Sequence, residues 1–159
     1  MVHVTIEYMI MLPLLILQIF LFPLTASWLM TTWVNQRRTL ALQDVAGHLS
    51  STIQQLYFSL NHQTVPAGES TYAPGLPPSI EDLFYTATAK LRPLGAPLNS
   101  SNMLDVTIKL TGTTNTVATT VILGPNVDWR SSVFESNSTK AAVTAQKFLN
   151  GTIALWFES

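Results

Sequence analysis

The side chains that most often carry catalysis or bind metals are sparse in this chain of 159 residues. Its histidines, His3, His48 and His62, lie far apart and lack the spacing with which a helix or strand holds a metal ion. Glu81 and Asp82 are the only adjacent acids, and adjacent residues do not face one another on a helix or strand. Cysteine is absent, which excludes thiolate chemistry and disulfides. We therefore expect no enzyme, no catalytic residue, no metal site and no cofactor.

Glu7 is the acid with the most informative setting. It lies in "VTIEYMIMLPLLIL" (residues 4–17), and no charged residue follows it before Arg37. This uncharged run exceeds the about 20 apolar residues that a helix needs to cross a bilayer core. Glu7 would sit at the headgroup level of a plain membrane anchor, where it also favours the helix N-terminus. Alternatively, it becomes buried when helices bundle and must then pair with a cation. We favour the second interpretation, in which the cation is the α-amino group of a neighbouring copy and the pair sets the axial register between subunits.

The segment that positions this acid is predicted to be one long helix over residues 4–61, within an N-terminal region 1–62. Its first half is apolar all round, as expected for a helix in lipid or in a fully buried position. Pro13 and Pro23 interrupt this half, which membrane and bundle helices tolerate. The second half is amphipathic, and its apolar residues at steps of three and four predict a stripe that packs against a domain. The stripe comprises Leu42, Val45, Ala46, Leu49, Ile53, Leu56, Tyr57 and Leu60.

The remaining residues are predicted to form a linker and a β domain. Residues 63–79 are rich in Pro and Gly, which predicts an extended surface linker. Residues 80–159 contain β-branched runs, and "LDVTIKL" at 104–110 alternates apolar and polar side chains as a half-buried strand does. Further candidate strands are 84–91, 116–123, 127–134, 139–149 and 152–157, and residues 80–83 are a candidate start of a short helix. The expected fold class is α+β, a long N-terminal hydrophobic helix followed by a small antiparallel β-sandwich-like domain.

The net charge and the glycosylation motifs limit which partners the chain can be expected to have. The net charge of −1 gives no reason to expect nucleic acid as a partner. Three N-x-S/T sequons lie in the last third of the chain, at Asn99, Asn137 and Asn150. They favour an extracytoplasmic surface that carries N-linked glycans. A region rich in Ser, Thr and Asn also produces such motifs by chance, so both interpretations stay open.

The opening stretch resembles the N-terminal motif of archaeal type IV pilin-like proteins, the class III signal peptide family of pilins and archaellins. Members carry a Glu in a hydrophobic start, often followed by Tyr, as in Glu7-Tyr8. The spacing from Glu7 to Pro13, followed by Leu14 and Leu15, also looks like that of TadE-type pilin-like proteins. The resemblance implies a short leader that a prepilin peptidase removes, with a mature start at His3. It also implies that the subunit is inserted in the cytoplasmic membrane before assembly and is then extruded by a pilus assembly platform.

In a filament of this family the helices form the core and the β domains form the sheath. The resemblance makes Glu7 the subunit-registering acid and places the inter-subunit core between Ile10 and Val34. The side chains expected in that core are Ile10, Leu14, Leu15, Leu17, Ile19, Phe20, Leu21, Leu24, Trp28, Leu29 and Trp33. We therefore expect a structural subunit of an extracellular, adhesive cell-surface filament that polymerises with itself. The alternatives are a minor TadE-like pseudopilin and a single-pass membrane-anchored extracytoplasmic β domain with a binding role.

Overall fold

A computed structural model describes the backbone of residues 2–94 and 101–159, and the side chains from residue 9 onward within those ranges. Helix α1 spans Val2–Asn61 and precedes the strands. The strands are β1 (Gly68–Tyr72), β2 (Tyr85–Pro93), β3 (Asn102–Leu110), β4 (Thr116–Leu123), β5 (Val127–Trp129), β6 (Val133–Glu135), β7 (Ala142–Lys147) and β8 (Ile153–Glu158). The α+β architecture expected from the sequence, a long N-terminal helix followed by a small β domain, is confirmed.

The chain divides into two compact units, Met1–Arg37 and Arg38–Ser159. The first unit is α-helical over its described residues. The second contains the rest of α1 together with every described strand. The division falls inside the helix, upstream of the end at residue 62 expected from the sequence, because the second half of α1 belongs to the core of the β domain.

The strands of the second unit form two four-stranded sheets, with the orders β1-β7-β8-β5 and β4-β3-β2-β6. All neighbouring pairs are antiparallel except β5 and β8, which run parallel. The alternation predicted for β3 is confirmed, since Leu104, Val106, Ile108 and Leu110 are buried while the residues between them are partly or fully exposed. Period-two alternation of this kind places one face of a sheet on a core.

The apolar stripe predicted on the second half of α1 is confirmed in full. Its eight residues, from Leu42 to Leu60, are all buried and share one hydrophobic core with both sheets. Leu49 and Ile53 at its centre are 0% exposed. The helix therefore supplies apolar surface that eight short strands could not provide alone, which fits the small core expected of a domain of this size.

The structure differs from the sequence-based expectations at the linker. Strand β1 lies within residues 63–79 and pairs with β7 from Gly68↔Lys147 to Tyr72↔Val143. Four of its five side chains are exposed. An edge strand with little burial has no apolar alternation for sequence reasoning to find, and the flanking Pro66 and Pro74 suggest a loop.

Two other local expectations were wrong. Residues 80–83 form a tight turn rather than a helix start, because Ile80 and Leu83 exchange backbone hydrogen bonds of 2.9 and 3.0 Å. The single strand expected over 127–134 is two strands, β5 and β6, which belong to different sheets. Residues 130–132 connect them and let the chain pass from one sheet to the other.

Candidate functional site: the apolar half of the helix and its neck

The apolar half of α1, residues 9–36, exposes a hydrophobic surface that nothing within its own unit covers. All eleven side chains predicted for the polymerisation core are exposed, from 50% for Leu21 to 69% for Phe20. The most apolar 18-residue window has a mean hydropathy of 2.2 and is 0% buried. By length and composition this segment can cross a membrane. Because residues 9–30 are exposed in every direction around the helix axis, the segment has an apolar circumference rather than a stripe.

The three threonine hydroxyls of the apolar half, on Thr25, Thr31 and Thr32, bond to the backbone of the helix itself. Thr31 and Thr32 each donate a 2.9 Å hydrogen bond to the carbonyl four residues earlier, on Ser27 and Trp28. Thr25 donates to the carbonyls of Leu21 and Phe22. Bonds of this kind let threonine enter a medium without water, where an unsatisfied hydroxyl would be costly. These polar residues therefore do not prevent the segment from entering lipid or a bundle of helices.

Glu7, the predicted registering acid, lies in the helical backbone of α1, and its side chain lies outside the residues whose side chains the structure describes. The same holds for His3. Pro13 and Pro23 both lie inside the helix, as the sequence led us to expect. The position of Glu7 along the helix is therefore known, and its ion partner remains a prediction.

The C-terminal end of the apolar half carries an aromatic residue and a cation in contact. The guanidinium carbon of Arg37 lies 5.8 Å from the ring centroid of Trp33, within the range of a cation–π interaction. Tryptophan and arginine together are typical of the boundary between an apolar medium and water. The apolar surface of the first unit thus ends at Trp33 and Arg37.

A second contact set, which we call the neck, consists of Arg38, Thr39, Glu81 and Asn115 at the start of the second unit. The Nε of Arg38 donates to Oε2 of Glu81 over 2.8 Å, and both side chains are 24% exposed. The Nδ2 of Asn115 donates to Oγ1 of Thr39 over 3.1 Å. These bonds fasten the first residues of α1 in this unit to the turn before β2 and to the β3–β4 turn.

The acid of the neck lies in a strained turn. Glu81 and Asp82 have φ angles of 49° and 62°, in the left-handed region that non-glycine residues rarely occupy. Each such residue costs about 1–2 kcal/mol relative to a right-handed conformation. The Glu81–Arg38 ion pair contributes to offsetting this cost. Sequence reasoning missed this pair, since its members are 43 positions apart and the local pattern around residues 80–83 indicated a helix start.

The other candidate residues do not assemble into a chemical site. His48 and His62 are exposed, and no group of three metal-ligating side chains occurs among the described residues. Asn137 and Asn150 are exposed and lie in turns, where a glycan would be accessible. The Oδ1 of Asn150 accepts a 3.0 Å hydrogen bond from the backbone N–H of Thr152 in its own sequon. Asn99 lies outside the described residues.

Comparison of the chain with protein-family models, with curated proteins and with solved structures finds no match in any of the three.

Proposed function

We propose that this chain is a structural subunit of an extracellular filament of the type IV pilin-like kind, which its N-terminus resembles. In this proposal the apolar half of α1 spans the cytoplasmic membrane before assembly and packs against sister helices in the filament core afterwards. The β domains form the outer layer, where they mediate adhesion. A prepilin peptidase and a pilus assembly platform act on the subunit during export.

The observation that carries the proposal is the all-round exposure of residues 9–30 in a helix whose second half buries one apolar stripe. Removing a Leu, Ile or Phe side chain from water stabilises a structure by about 1.5–3 kcal/mol. An uncovered segment of this kind cannot remain in water, so it needs lipid, sister helices or each in turn. Packing between like helices suits a surface that is apolar on every side, because a neighbour can be accommodated in any direction.

Glu7 supports a filament over a plain anchor. An anchor needs no acid in its apolar run, and ionisable residues in such segments usually serve a specific interaction. In a bundle of staggered helices the carboxylate would lie in an apolar surrounding and would need a cation. The α-amino group of a neighbouring copy meets that need at one axial position only, so pairing would define the stagger between subunits.

The joint between helix and domain also supports the proposal. Eight side chains of α1 are buried in the core of the second unit, and the neck adds an ion pair and an amide–hydroxyl hydrogen bond. Because the β domain packs around part of its own helix, packing of that helix against sister helices would also hold the β domain in place. Such a joint suits a sheath subunit, whereas a binding domain on a tether needs only a flexible linker.

The proposal includes glycosylation at the exposed sequons. Asn137 and Asn150 lie on the surface of the second unit, which would face outward from the filament core. We infer that these two residues carry N-linked glycans. Mass spectrometry of the purified chain before and after enzymatic deglycosylation tests the inference, and an unmodified peptide at both positions would contradict it.

Electron microscopy of material sheared from cells that express the chain with its assembly machinery tests the filament directly. We expect helical filaments with a helical core and a β sheath. Glu7→Gln removes the charge at nearly constant volume and should abolish filaments while leaving membrane insertion intact. Glu69→Gln, the same change on the exposed strand β1, is the matched control and should leave filaments unchanged.

Three results would contradict the proposal. Chains found only as membrane-bound monomers, surrounded by lipid, would favour a single-pass anchored β domain with a binding role. Equal filament yield from the Glu7→Gln variant and the wild-type chain would remove the registering role of the acid. Presence of the chain at only a few copies per filament would identify a minor pseudopilin instead.

A further inference from the structure

Among the residues that the structure describes, the second unit has four edge strands, and three of them carry features that block pairing with another chain. Strands β5 and β6 have three residues each. Strand β1 carries Glu69 and lies between Pro66 and Pro74. Short length, charge and flanking proline are the usual means by which proteins protect sheet edges.

Strand β4 is the least protected of the four, and its one such feature is Pro125, two residues beyond its C-terminal end. It has eight residues, "TVATTVIL", with no charge and no proline. Residues 111–126, which include the turns at both its ends, carry no charge either. Strand β4 pairs with β3 on one side, and no described residue pairs with its other side. An exposed, β-branched edge of this length presents unpaired backbone N–H and C=O groups to another strand.

A groove runs beside this free edge. It has a volume of about 360 Å³ and lies between the helix residues Gly47, Ser50, Ser51 and Gln54 and residues 119–122 of β4. Ser50 is only 9% exposed, and its hydroxyl has no hydrogen-bond partner among the described residues. A buried hydroxyl without a partner destabilises the fold, because it has lost its hydrogen bonds to water. An unpaired strand edge and an unpaired buried hydroxyl therefore occur at the same place.

We propose that β4 pairs antiparallel with β4 of a second copy of this chain, so that the two four-stranded sheets join into one. A second copy fits because a two-fold axis makes one edge complementary to itself. No charged residue lies on β4 or in the turns at its ends, so two such edges would bring no like charges directly opposite one another; the nearest charges, Asp105 and Lys109, lie on β3. This lateral contact lies in the second unit and does not depend on the filament proposed above.

The alternation of side chains fixes the register to a few choices. Residues directly opposite one another must point to the same sheet face, so the two-fold axis passes through a residue and not between two. With the axis at Thr119, near the middle of β4, Ala118 lies opposite Thr120 of the second copy. Thr116 lies opposite Ile122 of the second copy, whose side chain is 56% exposed in the single chain. The Thr119 hydroxyls then lie on the face of the sheet that borders the groove, where they can serve as partners for Ser50.

Disulfide trapping tests the pairing cleanly, since the natural chain has no cysteine. The full chain is expressed in membranes as Thr119→Cys, oxidised and examined as a covalent dimer on a non-reducing gel. Two thiols form a disulfide only when their Cβ atoms come within about 3.5–4.5 Å. Thr116→Cys is the matched control on the same strand, because its counterpart in the second copy lies six residues away, roughly 20 Å. Glu69→Cys controls for random collisions at another edge.

The expected result is a disulfide dimer from Thr119→Cys and from neither control. No dimer from Thr119→Cys, or equal dimer from all three variants, would overturn the proposal. Reaction of each variant with a soluble maleimide confirms that the thiols are accessible, so that a negative result counts.

A charge placed on the edge provides the second test. Ala118→Lys, in the Thr119→Cys background, puts a lysine on the exposed face of β4 and should abolish the dimer. Thr88→Lys is its control, since Thr88 and Ala118 both lie opposite Thr107 of β3 and share its face. Retention of the dimer in Ala118→Lys would overturn the pairing even if filaments form. A dimer without filaments would support the pairing and contradict the filament alone.

Discussion

The two halves of helix α1 present different surfaces, one exposed and apolar and the other packed into the β domain. Residues 9–30 are predominantly apolar around the whole circumference and exposed, whereas residues 42–60 are amphipathic with a stripe that is buried in the β domain. A stripe has a polar opposite face and commits its apolar residues to a single partner, the domain of the same chain. A full apolar circumference has no such partner within its own unit. The difference is what the proposed function rests on, with the apolar residues before Arg37 proposed to act between molecules and the stripe after it packed within one.

Alanine substitutions of matched leucines should separate these roles most strongly. Leu49→Ala removes a fully buried side chain and should lower the free energy of unfolding of the β domain by about 2–5 kcal/mol. Leu15→Ala removes a leucine that is 57% exposed and should leave that free energy unchanged. Denaturant titration of the full chain in detergent, followed by tryptophan circular dichroism in the near ultraviolet, measures both. Equal destabilisation by the two variants would contradict the division between the halves.

Gly124 tests how closely the buried half of α1 fits its domain. A Cβ atom at this position would lie 2.0 Å from the hydroxyl of Tyr57, whose side chain is 2% exposed and donates a 2.8 Å hydrogen bond to Asn126. Gly124→Ala should therefore destabilise the domain by about 1–3 kcal/mol through overpacking. Gly47→Ala is the matched control, because a Cβ there meets no atom within 4 Å. It should be neutral or slightly stabilising, since alanine favours the helix. No change in stability from Gly124→Ala would show that helix α1 can shift relative to the strands it packs against.

Sequence reasoning recovered those parts of the fold whose signal is local and periodic. The buried stripe from Leu42 to Leu60 and the alternation of β3 both follow from spacing, since burial of one face imposes a period of 3.6 or 2. The apolar half of α1 could also be predicted, because hydropathy over a window needs no knowledge of partners. The side chains named there from Ile10 to Trp33 are exposed in the single chain, and their contacts between subunits stay a prediction.

The features that were missed depend on partners distant in sequence. Strand β1 is defined by its pairing with β7, about 75 positions later, from Gly68↔Lys147 to Tyr72↔Val143. It has no sequence pattern of its own that would identify it as a strand. The parallel pairing of β5 with β8 is equally invisible in three residues. At the neck, the sequence located Arg38 next to the apolar run and gave no means of joining it to Glu81. Local pattern specifies which face is buried, while register and pairing follow from the whole fold.

The neck should respond to glycine because its turn is strained. Asp82→Gly relieves a positive φ angle, which costs a non-glycine residue about 1–2 kcal/mol, at a residue that makes no described side-chain hydrogen bond. The greater freedom of glycine in the unfolded chain offsets about 0.5–1 kcal/mol of this, so the second unit should be stabilised by up to about 1 kcal/mol. Asp82→Ala is the control, since alanine removes the same carboxylate but does not relieve the strain. Thermal unfolding of the full chain in detergent compares them. If the two variants change the melting temperature equally, the strain is not stored at this position.

The smallest effect on stability should come from lowering the pH, and it should be confined to the β domain. The hydrogen bond from Arg92 lowers the pKa of Asp105, and Thr120 donates a further 3.0 Å hydrogen bond to the same carboxylate. The folded chain therefore binds this proton less tightly than the unfolded chain, whose aspartates titrate at about 3.9. The stabilising contribution is present above pH about 4 and is lost as the pH falls through the lowered value.

Asp105→Asn should accordingly reduce the stability of the β domain at neutral pH. It should also flatten the loss of stability that the wild-type chain shows as the pH falls from about 4 to the lowered pKa. Both effects should be small because the ion pair is exposed to solvent. Asp128→Asn, at an exposed acid of β5, is the control and should keep the decline of the wild-type chain. Unfolding midpoints measured from pH 2 to pH 7 compare the three proteins. Filament yield at neutral pH should not change in Asp105→Asn, since assembly is assigned to the apolar half of α1. A loss of filaments with an intact β domain would show that the β domain also determines polymerisation, and the proposed role would then not belong to the apolar half of α1 alone.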